Sequence, residues 1–134
     1  MAEGLAIVFV YGTLKVGGHF AEQFDKFRLN SFDAMIYGTL FSVNDQFPAV
    51  ILGGDNLVHG EVHSYRNGRS VLAAMDAIEG CMNPEEKHDP FNMFNRSTVI
   101  AMFEDDDAEV PATIYTWNLE LDGLEIIEDG KWVL

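Results

Sequence analysis

The chain has 134 residues, with 22 acidic and 8 basic side chains and a formal net charge of -14. This length is typical of about one domain built around a single core. The negative charge excludes the basic surface that nucleic-acid binding normally needs, and it disfavours adsorption to anionic membranes. We therefore expect a single domain over residues 1–134 with neither nucleic acid nor membrane as a partner.

Cysteine usage and the N-terminal residues predict a cytoplasmic location. Cys81 is the single cysteine, so no disulfide can form within the chain, which is typical of a reducing compartment. The first four residues carry no basic side chain, so the apolar run at residues 5–11 is not expected to be a secretory leader. No stretch approaches the roughly 18 apolar residues of a membrane span.

The N-terminal third predicts a strand, a loop and a helix. The continuous apolar run 5–11, ended by Gly12, is typical of a strand that is buried on both faces. A glycine-containing loop follows at residues 12–18. The next segment, 19–29, is predicted to be a helix because three phenylalanines recur at helical spacing: Phe20, Phe24 and Phe27.

Alternating patterns predict most of the remaining chain to be strand. Residues 33–43 form a predicted strand in which Gly38 indicates a bend or a close backbone approach. Further strands are predicted over residues 47–52, 57–65, 95–103 and 110–117, the last two as a hairpin around the acidic tip 104–109. Five to seven strands with two helices predict an α+β domain with a curved or closed sheet.

A second predicted helix, 71–79, carries an acidic residue on its apolar stripe. Ser70 is the predicted N-cap, and Gly80 lies just past the end. The stripe consists of Leu72, Met75 and Glu79. Desolvation and the negative end of the helix dipole would both raise the pKa of Glu79, as a general acid or base requires. The alternative is that its carboxyl reaches past the edge of the core into water.

The loop at residues 12–18 has the composition of an anion-binding turn. Its backbone N–H groups lie between a strand end and a predicted helix start, where they could bind a carboxylate or a phosphate. A Walker A motif is excluded, because Gly18 and His19 occupy the positions of its lysine and hydroxyl residue. A tight turn that only connects two core elements is the commoner use of glycine and stays open as the alternative.

Three polar residues alternate on the strand 57–65: His59, Glu61 and His63. They share one face and could present metal ligands, but the chain supplies no obvious further ligands. A solvated outer strand face is the favoured interpretation, and no metal site is predicted.

Three motifs, taken in order, resemble the γ-glutamylcyclotransferase-like family. They are VFVYGTLK at residues 8–15, LVHGEV at 57–62 and MDAIEG at 75–80. The family has Tyr-Gly-Ser/Thr-Leu after its first strand, a central Gly-Glu-hydrophobic strand and a Glu-Gly helix end. The tail at residues 122–132 is similar to the end of small bacterial members.

This resemblance implies a small mixed β-barrel, of about five to seven strands, flanked by two or so helices. It implies that Tyr11, Gly12, Thr13 and Leu14 hold the glutamyl end of a γ-glutamyl amine or γ-glutamyl peptide. Glu79 would carry a proton from the α-amine of the substrate to the departing amine, which gives 5-oxoproline and a free amine. No cofactor or metal is implied, since nucleophile and electrophile belong to one molecule.

The chain departs from the family at two places. Phe94 stands where the family often has the tyrosine of Tyr-x-Arg, so that hydroxyl is missing. The loop 81–93 is longer than the minimal pattern, and either shapes the leaving-amine pocket or is a surface excursion. Two other functions stay open: a non-catalytic module that binds γ-glutamyl compounds or small anions, and an interaction protein whose acidic surface meets a basic partner.

Overall fold

The apolar run near the N-terminus forms the first strand, β1 (Ala6–Val10), which is buried on both faces as the sequence predicts. The structure, a computed structural model, describes residues 4–133. Residues 1–3, on which the expectation about a leader partly rests, lie outside the described residues, as does residue 134. Within residues 4–133, no helix has the length and apolar character needed to cross a membrane.

Five strands close into a barrel, and a sixth short strand extends it. The barrel strands are β1, β2 (Arg28–Val43), β3 (Phe47–Tyr65), β4 (Phe94–Phe103) and β5 (Glu109–Trp117), and β6 (Glu125–Ile126) pairs with β2. Hydrogen-bonded neighbours follow the order β3-β1-β5-β4-β2, and β2 pairs with β3 to complete the closure. The β1–β5 pair is parallel and the others are antiparallel, so the predicted mixed β-barrel is confirmed.

Two apolar clusters fill the molecule, one inside the barrel and one beneath the helix α1 (Gly68–Ile78). All five barrel strands contribute to the barrel cluster, which includes Phe9, Ile36, Val58, Ala101 and Ile114. The helix-side cluster joins the opposite face of β1 to the helix and includes Val8, Val10, Val71, Met75 and Tyr115. β1 thus contributes to both clusters by simple alternation.

The predicted helix over residues 19–29 is wrong. The structure has only a 3-10 helix, Glu22–Phe24, within a series of turns. N–H groups in this segment bond three residues back, as that of Phe24 does to Ala21, so the turns are tighter than an α-helix. The apolar pattern reports burial rather than helix here: Phe24 is buried, and Phe20 and Phe27 pack against the same helix-side cluster.

The second helix exists, but its predicted start is wrong. It begins at Gly68, two residues before the predicted cap Ser70, after Asn67 in a left-handed conformation (φ 55°). Its end is confirmed: Gly80 has φ +64°, and the Cys81 N–H bonds the Asp76 carbonyl at 2.8 Å. This six-to-one bond past a left-handed glycine terminates the helix at Glu79.

The two predicted strands at residues 47–52 and 57–65 are one continuous strand, β3. Register with β2 shifts between Tyr37 and Gly38, which leaves the glycine-containing stretch 53–56 as a bulge. A Cβ on Gly38 would lie 2.9 Å from the Ile51 carbonyl oxygen, so the predicted close backbone approach is confirmed.

Gly60 on β3 has no room for a side chain. A Cβ there would lie 2.3 Å from the Val10 carbonyl oxygen and 2.7 Å from Cζ of Phe9. We expect Gly60→Ala to force β1 and β3 apart and to lower the free energy of unfolding by about 3 kcal/mol, the upper part of the usual range for overpacking. Urea denaturation measures this loss. Asp55→Glu, which adds one carbon at an exposed position of the same strand, is the control, and an unchanged midpoint for Gly60→Ala would contradict the prediction.

A candidate active site at the end of the first strand

A cavity of about 280 Å³ opens where β1 ends. The chain segments that meet there are the end of β1 with the following loop, the β2–β3 turn, the end of α1, the start of β4 and the end of β5. Its lining residues are Phe9, Val10, Tyr11, Gly12, Thr13, Leu14, His19, Phe20, Gln46, Phe47, Pro48, Ile78, Glu79, Met93, Phe94 and Tyr115. All five residues that the sequence singles out, Tyr11 to Leu14 and Glu79, therefore border one space.

The loop after β1 turns tightly and leaves donors free. The Lys15 N–H bonds the Gly12 carbonyl at 3.0 Å, and the Phe20 N–H bonds the Thr13 carbonyl at 3.0 Å. Among the hydrogen bonds of residues 4–133, none uses the N–H of Gly12, Thr13 or Leu14 as a donor. Three backbone donors at the cavity wall are therefore available to an anion.

Packing against Pro48 requires glycine at position 12. A Cβ on Gly12 would lie 2.6 Å from Cγ and 3.0 Å from Cδ of the Pro48 ring. The restriction thus comes first from packing of the loop against β3 and only then from any ligand. The two demands are compatible, because Pro48 also lines the cavity.

Glu79 lies at the end of α1 and is partly buried. It is the C-cap residue of α1, and its N–H bonds the Met75 carbonyl at 2.9 Å. The apolar stripe is as predicted, since Met75 is fully buried and Leu72 packs against the helix-side cluster. Burial raises the pKa of Glu79 from its ordinary value of 4.5 to about 7. Partial burial and the raised pKa favour this interpretation over a carboxyl that reaches past the edge of the core into water.

The phenol of Tyr11 reports how close Glu79 lies to the loop. Burial, and after it the charge of Glu79, raise the pKa of Tyr11 well above its usual value, so the group is a neutral donor. Its hydroxyl donates to the Tyr115 carbonyl at 2.6 Å rather than pointing at a ligand. Tyr11 therefore forms part of the cavity wall, with its hydroxyl hydrogen-bonded to the backbone of β5.

A polar triad of Asp76, Arg96 and Tyr115 lies beneath the cavity. Asp76 is buried, and the guanidinium nitrogens Nε and Nη2 of Arg96 donate to its carboxylate. The Tyr115 hydroxyl also donates to Asp76, at 2.6 Å. Arg96 and Tyr115 are direct partners in the β4–β5 register, so the predicted hairpin would have brought them together.

Phe94, at the position where the family often has tyrosine, lines the cavity with its ring. Tyr115 also lines the cavity and brings a hydroxyl to this region from the neighbouring strand. Met93 of the long loop 81–93 lines the cavity, whereas residues 84–88 of that loop do not. The loop is held by the buried Asn92, whose side chain bonds the backbone of Asn83.

The interpretation of His59, Glu61 and His63 as a solvated outer face is wrong for His63, which has 0% of its surface exposed. His63 bonds Glu61 and the Tyr65 hydroxyl, whereas His59 pairs with Glu104 near the surface. Burial was missed because strand alternation gives a face but not which face meets solvent. Within residues 4–133, no group of three or more His, Cys, Asp or Glu side chains could hold a metal.

The order of these features matches a known family. A family model described as gamma-glutamyl cyclotransferase, AIG2-like, matches residues 8–134. The chain belongs to this family. The match covers the loop after β1, the Gly-Glu strand and the helix end that bears Glu79, so the resemblance drawn from the three motifs is confirmed.

Solved structures share the fold of this AIG2-like protein. YkqA from Bacillus subtilis is 20% identical with a TM-score of 0.69; the alignment covers 96% of this chain and 40% of that one, so this chain spans less than half of YkqA. An AIG2-like protein from Mus musculus is 22% identical (TM-score 0.65, 87% and 80% covered). The ytfP protein from Escherichia coli is 25% identical (TM-score 0.60, 95% and 96% covered). A search of curated proteins found no match.

The raised pKa of Glu79 makes stability depend on pH with a defined sign. Between pH 4.5 and about 7 the folded state holds a proton on Glu79 that the unfolded chain has lost, so the contribution of this group to stability falls as pH rises and levels off above about 7. Glu79→Gln lacks this loss. As pH rises through this window, the free energy of unfolding of Glu79→Gln should increase relative to that of the wild type by at most about 3 kcal/mol, because each pKa unit corresponds to about 1.36 kcal/mol.

Chemical denaturation at a series of pH values from 4.5 to 8 measures this difference. Glu125→Gln removes one carboxylate at an exposed position of β6 and controls for the change in net charge. A difference between Glu79→Gln and wild type that stays constant over the whole window would contradict the burial of this carboxyl.

Proposed function

We propose that this protein is a γ-glutamylcyclotransferase that releases 5-oxoproline and a free amine from a γ-glutamyl amine or γ-glutamyl peptide. One observation carries the proposal: a carboxyl whose pKa is raised to about 7 shares a cavity with three unpaired backbone N–H groups. The first is suited to moving a proton and the second to holding an anion. Membership in the gamma-glutamyl cyclotransferase, AIG2-like family supports the same reaction class.

In the proposed reaction, the N–H groups of Gly12, Thr13 and Leu14 hold the glutamyl end of the substrate. The α-amine then attacks the γ-carbonyl carbon, forming a carbon–nitrogen bond as the original γ-amide bond breaks. Glu79 relays to the departing nitrogen the two protons that the α-nitrogen loses, one from the α-ammonium group before attack and one as the new bond forms, so the amine leaves as an ammonium group. Atoms and charges balance without a co-reactant, and the protein acts mainly by orientation.

The cavity favours backbone dipoles over cations as anion partners. Among its described lining residues there is no lysine or arginine. Arg96 is engaged by Asp76, and the Lys15 ammonium donates to the Trp132 carbonyl at 2.8 Å. A glutamyl carboxylate would therefore be held by the oriented N–H groups of the loop.

Replacing Glu79 with Gln preserves shape and removes proton exchange. We expect turnover of γ-glutamyl amines, scored as release of 5-oxoproline, to fall by about a hundredfold or more, the usual magnitude of general acid–base catalysis. Affinity for an uncleavable γ-glutamyl analogue should stay close to that of the wild type. Glu125→Gln is the matched control and should keep full activity. Undiminished turnover by Glu79→Gln would refute the assignment.

The non-catalytic alternative predicts a different result for the wild type. It would bind the analogue but release no 5-oxoproline from any γ-glutamyl amine or peptide. The presence of Glu79 argues against it, because binding of a glutamyl carboxylate gains nothing from a second carboxylate in the same cavity.

Gly12→Ala tests the loop as the anion site. The added carbon would meet the Pro48 ring and displace the loop, so affinity for the analogue should fall at least about tenfold, equivalent to about 1.4 kcal/mol. Isothermal titration calorimetry measures affinity, and circular dichroism verifies folding. Val16→Ala, at an exposed position of the same loop, is the control. Equal binding by folded Gly12→Ala and wild type would place the anion elsewhere.

A further inference from the structure

A hydrogen-bonded chain runs from the helix-side cluster, where Tyr65 is buried, to the loop that borders the cavity. The Tyr65 hydroxyl and His63 Nδ1 are 2.7 Å apart, and His63 Nε2 and Glu61 Oε1 are 2.8 Å apart. The same Glu61 oxygen accepts the backbone N–H of Val16 at 2.9 Å. The hydrogen-bonded chain of three β3 side chains thus ends at the backbone N–H of Val16 in the 12–18 loop.

The direction of the hydrogen bonds follows from the groups involved. Burial raises the pKa of Tyr65, so its hydroxyl stays protonated and is able to donate to Nδ1. His63 then donates from Nε2 to Glu61. Burial alone would raise the pKa of Glu61, but the hydrogen bonds from His63 and Val16 outweigh it and lower the pKa, so the carboxyl is ionised and accepts both donors.

Glu61 itself does not line the cavity. It acts on the loop, whose other described hydrogen bonds are short-range turns, such as Gly18 to Lys15 and Phe20 to Thr13, together with the Lys15 bond to Trp132. Among the described residues, the Val16 bond is the hydrogen bond that joins this loop to a side chain of β3. The free N–H groups lie two to four residues before it, so their direction depends on where Val16 is held.

We propose that Glu61 is a positioning residue, which anchors the loop through Val16 so that the N–H groups of Gly12, Thr13 and Leu14 converge on the glutamyl end of the substrate. The role in substrate binding rests on the proposed function. The anchoring of the loop does not, because it is a property of the free protein. His63 and Tyr65 continue the hydrogen-bonded chain into the core, and their loss affects stability more than the loop.

Three variants separate anchoring from general stability. Glu61→Gln keeps an oxygen that can accept from Val16, and Glu61→Leu removes it. His63→Phe breaks the buried chain but leaves the Glu61–Val16 bond. Glu104→Gln is the matched control, because it disrupts a second Glu–His pair, formed with His59 on the same strand but outside the cavity lining.

Amide hydrogen exchange of Val16 and affinity for an uncleavable γ-glutamyl analogue are measured well below each melting temperature. Glu61→Leu should speed amide exchange of Val16 at least about tenfold. It should also lower the affinity for the analogue and raise KM by a similar factor. Glu61→Gln and Glu104→Gln should stay within about threefold of wild type. His63→Phe should lower the melting temperature while leaving KM and Val16 exchange near wild type.

Two results would overturn the role of Glu61 as an anchor. One is a folded Glu61→Leu variant with unchanged Val16 exchange and unchanged affinity for the analogue. The other is a His63→Phe variant that matches Glu61→Leu in KM and in Val16 exchange, since both changes would then reflect a general loss of stability. If the wild type releases no 5-oxoproline, the proposed function fails, and exchange and analogue affinity still decide the role of Glu61.

Discussion

The geometry of the candidate site depends on the burial of β1 on both faces. This strand pairs with β3 on one side and with β5 on the other, which closes the barrel. The chain passes from it directly into Tyr11 and the loop with free N–H groups. The face of β1 that points away from the barrel interior packs on α1 through Val8, Val10 and Met75. This packing places the end of the helix, and with it Glu79, beside that loop. One doubly buried strand therefore positions both chemical components.

Three partly or fully buried carboxyls surround this strand, and only their partners distinguish them. Asp76 is paired with Arg96, and Glu61 accepts bonds from His63 and Val16. Among the described residues, Glu79 forms no ion pair, and burial is what raises its pKa. Paired carboxylates keep their charge and stabilise structure, whereas an unpaired one in an apolar wall exchanges its proton near neutral pH. Chemistry is therefore assigned to the unpaired member.

Sequence patterns were sufficient where local geometry decides the outcome. The two-sided burial of β1, the Gly80 helix end and the stripe leading to Glu79 all follow from short-range rules. The failures concern tertiary context. Phenylalanines at helical spacing in residues 19–29 are buried by successive turns, and alternation could not tell that His63 faces the interior. Anchoring of Val16 by Glu61 joins residues 45 positions apart, which no local pattern encodes.

The burial that raises the pKa of Glu79 also suits the proposed proton transfer. An ordinary glutamate, with a pKa of 4.5, differs by about three units from an α-amine, whose pKa is about 7.7–8.0. At about 7, the gap narrows to about one unit, so the carboxylate can take a proton from the α-ammonium group at modest cost and free the amine for attack. The transfer also converts a carboxylate and an ammonium into two neutral groups, which an apolar cavity favours. Desolvation of Glu79 therefore lowers the cost of the first proton transfer instead of opposing it.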